Sequence, residues 1–385
     1  MARVTGGEDE LSLRQLNRAT LERQGLLDRH EGSVADVVGR LAGLQAQHPN
    51  APYVALWSRL RGLRMADLEG ALEARSVVKA TIMRTTLHLV DARDYAAFNA
   101  ASSEARRANW APTVRRAGID LGAMHGALLA FCQVPRTVAE MEAHLDAIVS
   151  DDQLAGSVPG GVRHAAFRIA SASGGLVHVP PSGFWRTHDK PRYIDARVWL
   201  PGVAATSPDR ALETAMTRYL AAYGPASLED VGKWVGQPRA SRLRTAAAAL
   251  AGGLRRYVGA DGRNLLDLAD RPLPDGDRVA PVRFLSRWDS VIIGYDVRDR
   301  ILPEAYRAPV IKKNGDFLPT FLIDGWIAGL WTTDRVKHEA TIRLTPFAAV
   351  PSTVRKALET EAAGLIRFVE PDADRHGVRW EAALG

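Results

Sequence analysis

Three stretches of this 385-residue chain open a helix in the same way. They read Ser33-Val34-Ala35-Asp36-Val37, Thr137-Val138-Ala139-Glu140-Met141 and Ser227-Leu228-Glu229-Asp230-Val231. In each, a hydroxyl can cap the first free amides and an acid three positions on can close a capping box or favour the positive end of the helix dipole. Apolar residues then begin a buried face. Pro135 and Pro225 precede the second and third hydroxyls at the same offset. The sequel is shared too. A second helical stretch follows each start, at 68–72, 162–172 and 239–251. Strand-forming runs come next: 77–84 with 85–90, then 176–179 before the turn Pro180-Pro181-Ser182-Gly183, then 254–258 with 264–268.

Helix, helix, hairpin is the order of a winged helix. The expected fold class is therefore α+β, a tandem of three helix-turn-helix units with β-wings at residues 11–125, 126–205 and 206–275. Residues 276–385 change character and are expected to form a strand-rich C-terminal segment. Val291-Ile292-Ile293-Gly294, 317–323 and 326–331 read as strands. Lys312-Lys313-Asn314-Gly315 carries the Asn-Gly pair of a tight hairpin, and Asp324-Gly325 is a second turn of that kind. A helix at 352–368 is expected to close the fold.

With 46% hydrophobic and 24% charged residues, each unit can bury an ordinary core. The formal charge of +6 favours a polyanionic partner. Lysine occurs only at 79, 190, 233, 312, 313, 337 and 356, so most of the positive charge is arginine, whose fork suits phosphates and guanine edges. The single cysteine, Cys132, lies in an apolar run and allows no disulfide within the chain. Met1 to Glu10 lacks an apolar stretch, and no segment reaches the roughly 18 apolar residues of a membrane span. A cytoplasmic protein is expected.

The common catalytic signatures are missing: no Walker A loop, no G-x-G-x-x-G after a strand, no H-E-x-x-H, no G-x-S-x-G and no cysteine ladder. His88, His164, His178 and His188 do not share metal-ligand spacing, so neither a metal nor a cofactor is expected. What stands out is Leu44-Gln45-Ala46-Gln47-His48-Pro49-Asn50-Ala51-Pro52-Tyr53, at the end of the first capped helix. Read alone, the two glutamines could equally finish a helix and fill a polar gap.

Four segments together resemble the AlkZ/YcaQ winged-helix DNA glycosylases: this one, Arg84-Thr85-Thr86-Leu87-His88-Leu89-Val90, Val179-Pro180-Pro181-Ser182-Gly183-Phe184-Trp185, and Phe284-Leu285-Ser286-Arg287-Trp288-Asp289. The likeness runs in order from about Leu13 to about Arg343. It implies tandem winged helices around a C-shaped basic surface that holds duplex DNA. It also implies a glutamine-x-glutamine catalytic motif, matched by Gln45 and Gln47. The YcaQ branch is similar but has aspartate at the second position, so Gln47 places this chain nearer the AlkZ branch, whose members unhook interstrand crosslinks or remove bulky adducts.

The expected activity is that of a monofunctional glycosylase acting, as a monomer, on double-stranded DNA that carries alkylated guanine. Self-resistance to an alkylating natural product is the expected setting. Lys79, Arg84, His88, Arg287, Lys312 and Lys313 are the expected DNA contacts. A winged-helix transcription regulator and a genotoxin-binding protein without catalysis are the competing readings. On a regular helix Gln45 and Gln47 would point about 200° apart, so both can serve one cleft only if the helix ends before Pro49.

Overall fold

A computed structural model describes residues 9–160, 162–187 and 190–384. His188 and residues 1–8 lie outside the described residues. Asp9–Leu11 (β1) is followed by a helix, Leu13–Arg23, opened by a capping box between Ser12 and Gln15. The sequence reading did not pick out this box. Ser33 caps Val34–Arg40, accepting from the Asp36 amide at 3.2 Å.

The first hairpin sheet contains Leu44–Gln45 (β2), Val77–Thr81 (β3) and Leu87–Asp91 (β4), antiparallel in the order β2-β4-β3. Helices Ala51–Arg59 and Met65–Glu73 lie between β2 and β3. The second repeats the scheme with Arg136–Thr137 (β5), Leu176–Val179 (β6) and Arg192–Asp195 (β7), ordered β5-β7-β6. In the third, Leu254–Gly259 (β8) pairs with Asn264–Leu268 (β9), and Ala226 bridges Leu266 where β2 and β5 stand in the others. β1 adds to the far side of β8 in parallel. Each sheet thus sets a short first strand beside the last strand of its hairpin.

The three helix starts are not equivalent. The helices capped by Thr137 and Ser227, Val138–Leu145 and Leu228–Val235, follow the short strand, whereas the one capped by Ser33 precedes it. After β2 the helix begins instead at Ala51, with Pro52 in its first turn and no side-chain cap from Asn50. A capping box reports a helix start but not which helix of a unit it opens.

The longest of the helices that were not anticipated is Ala92–Arg116, whose first turn is capped by Asp91. It packs on Pro208–Tyr223, and Phe98 from the first meets Trp234 edge-on at 5.4 Å, with Tyr219 of the second 5.2 Å from the same indole. Val78 and Ala80 of β3 and Val177 of β6 belong to this same buried cluster, so the first three sheets share a core.

The C-terminal sheet runs β10-β11-β12-β13-β14, formed by Arg283–Leu285, Thr320–Ile323, Trp326–Val336, Glu339–Pro346 and Arg375–Trp380. The expected closing helix is Ser352–Val369. Asp324 and Gly325, both at positive φ, make the turn between β11 and β12. Two expectations fail. Ser290–Ile293 is a buried helical turn capped by Asp289, not a strand; a short apolar run buried on all sides reads alike in either conformation. Lys312-Lys313-Asn314-Gly315 is a tight turn closed by a single bridge, Ile311 to Phe317. The helical turn Arg307–Val310 takes the residues that a longer hairpin arm would need. Among the described residues no helix is long and apolar enough to cross a membrane.

Candidate catalytic and DNA-binding site

Gln45 and Gln47 do not lie on a helix. The helix before them ends at Arg40, and the chain is extended from Leu44, with Leu44 paired to Leu89, Gln45 to His88, and the Ala46 amide donating to the Leu87 carbonyl at 2.7 Å. In extended chain alternate side chains share a face. Leu44 and Ala46 are therefore buried at 1% and 3% exposure, while Gln45 is half-buried on the opposite face and Gln47, in the bend just past the strand, is exposed. The 200° separation expected on a helix therefore does not apply.

Arg84 organises this face. Its guanidinium donates to the Trp234 carbonyl at 2.9 Å, to Nε2 of His88 at 3.1 Å and to Oε1 of Gln45 at 3.4 Å. Nδ1 of His88 sits 2.9 Å from the Thr86 carbonyl, which can only accept, so Nδ1 carries the proton and Nε2 receives the arginine. The ring is neutral: burial first, and the neighbouring Arg84 charge second, push its pKa down to about 3. Burial also lowers Arg84, to about 10, which leaves it charged at neutral pH. The side-chain oxygen of Gln47 accepts from the Leu87 amide at 3.3 Å. Both glutamines are thus tethered through one lone pair of their carbonyl oxygens and can offer the NH₂ group and the second lone pair to a ligand.

The backbone of this loop is unusual. Arg84 and Thr85 both take positive φ, 52° and 61°, in a helical turn between β3 and β4. The sequence suggested continuous strands here; residue pairs in left-handed geometry cost energy and persist where their surroundings hold them. Here the hold comes from Trp234 and from Gly236, which has φ of 79° and would bring an added Cβ within 3.4 Å of the Arg84 amide.

A cleft of about 420 Å³ opens beside Gln47, with Thr85, Asn109, Trp110, Phe167 and Arg168 among its walls. None of these five was expected as a site residue. Asn109 and Trp110 belong to the unanticipated long helix, and Asn109 donates to the Thr85 hydroxyl at 3.2 Å. Their only local sign was the Arg106-Arg107 pair just before them.

The model of the AlkZ-like DNA glycosylases matches residues 38–368. The chain belongs to the AlkZ-like DNA glycosylase family. An interstrand DNA cross-link repair glycosylase of Streptomyces sahachiroi is 27% identical over 388 residues, covering 92% of this chain and 96% of that protein. The structure of the Streptomyces sahachiroi DNA glycosylase AlkZ superposes with a TM-score of 0.80 at 23% identity, over 97% of this chain and all of the other. The protein is therefore a DNA glycosylase, an enzyme that cleaves the bond between base and sugar.

Within this glycosylase, the six expected DNA contacts separate. Lys79 is 7% exposed and His88 2%, so neither is the surface group that was expected. Lys79 pairs with Leu89, which puts its side chain on the sheet face opposite Gln45. Burial lowers its pKa to about 8. Arg84 is half-buried and occupied by protein acceptors. Arg287 remains partly exposed beside Asp316 at 3.2 Å, while Lys312 and Lys313 stand exposed on the neighbouring turn. The segment around Arg287 also has a structural purpose. Asp289 receives a bidentate pair from Arg59 at 2.5 and 3.1 Å, both side chains fully buried, tying the helix that follows the glutamines to the C-terminal sheet.

Proposed function

We propose that this glycosylase hydrolyses the N-glycosidic bond of bulky N7-alkylguanine adducts or of interstrand crosslinks, with Gln45 and Gln47 as its catalytic pair. The reading is carried by two neighbouring glutamines that both hang on the β4 segment, Gln45 beside Arg84 and His88 and Gln47 on the Leu87 amide at the edge of the cleft. It is supported by the family and by the relative whose name specifies interstrand crosslinks. Self-resistance to a DNA-alkylating natural product is the setting we infer. The strand order of the first two sheets, echoed in the third by the Ala226 bridge, supports repeated winged helices, which we place at 11–125, 126–205 and 206–275 with 276–385 as the closing segment; from the family we infer a C-shaped basic surface for double-stranded DNA.

The chemistry asks little of the protein. Alkylation at N7 leaves guanine cationic, so the electrons of the breaking bond neutralise the departing base and no general acid is needed. As that bond breaks, a water oxygen bonds to the sugar carbon and its proton passes to solvent. What remains is to orient the water and stabilise a cationic sugar, which neutral dipoles in a fixed position can do. The free lone pair of each glutamine oxygen is the acceptor for that water, and the amide NH₂ groups are donors to phosphate or base. Arg84 and His88 act as positioning residues, while Arg287, Lys312 and Lys313 contact phosphates.

Incubation of the purified protein with an N7-methylguanine duplex, followed by alkali, should give scission at the damaged guanine. Binding without scission would favour a transcription regulator or a genotoxin-binding protein.

A further inference from the structure

The cleft of about 420 Å³ beside Gln47 draws its walls from three parts of the chain. Thr81, Thr85 and Leu87 come from the β3 and β4 region of the first unit, Asn109 and Trp110 from the long helix, and Phe167, Arg168 and Tyr193 from the second unit. Trp110, Phe167 and Tyr193 are half-buried rings, the last two 5.3 Å apart. Neither the indole N–H of Trp110 nor the hydroxyl of Tyr193 has a partner in the protein, and both atoms remain accessible to water.

The charges in the cleft are of one sign. Arg168 is exposed; its Nε donates to the Arg163 carbonyl at 2.9 Å, which steadies the guanidinium and leaves its terminal nitrogens without a carboxylate. Arg106, deeper in the wall, is occupied by protein acceptors, among them Ser102 Oγ at 2.6 Å and Asn99 Oδ1 at 2.7 Å. Among the described residues no carboxylate lines the cleft. Glu142, which accepts from the Phe167 amide at 2.5 Å, lines a separate hollow.

Aromatic rings beside an unopposed arginine are the means by which proteins hold an unpaired nucleotide, the base stacking on a ring and the phosphate meeting the guanidinium. We infer that this cleft receives the nucleotide that carries an alkylated guanine once it has left the base stack. The inference rests on the catalytic reading of Gln47, whose position at the edge of the cleft sets it against the sugar while the base lies against Trp110. The positive charge of an N7-alkylated ring is itself attracted to an aromatic face, and the Trp110 N–H and Tyr193 hydroxyl are donors for the guanine oxygen. The volume lies within the range of small-molecule sites. A guanine tethered to the opposite strand cannot turn out so far, so the cleft serves adducts on one strand and not crosslinks.

The test uses a duplex carrying 2′-fluoro-N7-methylguanine, which resists cleavage, with 2-aminopurine as its 3′ neighbour. The fluorescence of 2-aminopurine rises when the adjacent base leaves the stack, and saturating wild-type protein should raise it about twofold or more. Thr81→Trp fills the cleft from an exposed strand position, Trp110→Leu removes a stacking platform, and each should abolish the rise at saturation. Arg168→Gln should shift the rise to higher protein concentration. With cleavable substrates, Thr81→Trp should lower the ratio of N7-methylguanine excision to crosslink unhooking about tenfold, the effect of losing one stacked base. No rise in the saturated wild-type complex, a rise that survives both substitutions, or an unchanged ratio would overturn the inference. Wild-type protein that cleaves neither substrate would overturn the reading of the glutamines instead. The fluorescence, which needs no cleavage, tells the two apart.

Discussion

Replacing Arg84 by methionine separates a positioning role from a DNA contact. The change removes one guanidinium and leaves three acceptors without it: the Trp234 carbonyl, His88 Nε2 and Gln45 Oε1. Two of these lie inside the protein, and an unpaired buried acceptor costs about 1–3 kcal/mol. Methionine also removes a charge whose burial is unfavourable, as its lowered pKa records. A net loss of roughly 2–4 kcal/mol in stability follows. The rate should suffer less. At 3.4 Å the bond to Gln45 is near the limit of a hydrogen bond, so about 0.5–1 kcal/mol of orientation is lost, a two- to fivefold drop in single-turnover excision. Urea melts and single-turnover excision on one preparation give both quantities. A hundredfold loss of rate at unchanged stability would refute the reasoning, because that is the loss expected when a donor aimed at the reacting centre disappears.

Gln45→Ala and Gln47→Ala should each slow excision by roughly 10²-fold with duplex affinity nearly unchanged, and equal losses of rate and binding would demote the pair to a structural role. Gln47→Asp should keep activity but alter lesion preference, read as the ratio of rates on methyl and benzyl adducts. Arg287→Ala, Lys312→Ala and Lys313→Ala should each reduce the slope of log affinity against log salt by about 0.9, so unchanged slopes would place the phosphates elsewhere. Acid should destabilise the fold through His88. Its folded-state pKa is about 3 against 6.5 unfolded, so below pH 6.5 the unfolded chain takes up a proton that the folded one refuses, and stability falls. The loss by pH 5 is about 2 kcal/mol, and His88→Gln should show that much less pH dependence in urea melts.

The sequence by itself determined the local grammar. Hydroxyl-acid pairs at Ser33, Thr137 and Ser227 started helices, the runs 254–258 and 264–268 paired, and Asp324-Gly325 turned, because these depend on neighbours within a few residues. The sequence likewise singled out Gln45 and Gln47. It could not say that Gln45 lies on a strand, since a two-residue strand exists only by pairing with Leu89 and His88 more than forty residues away. Nor could it foresee the fate of the cations. Lys79, Arg84 and Arg287 look alike in a string of letters. Burial for Lys79, the carbonyl of Trp234 for Arg84 and the carboxylate of Asp316 for Arg287 gave them three different settings. Only the tertiary structure decided these, because burial and charge pairing are set by surfaces brought together from distant parts of the chain.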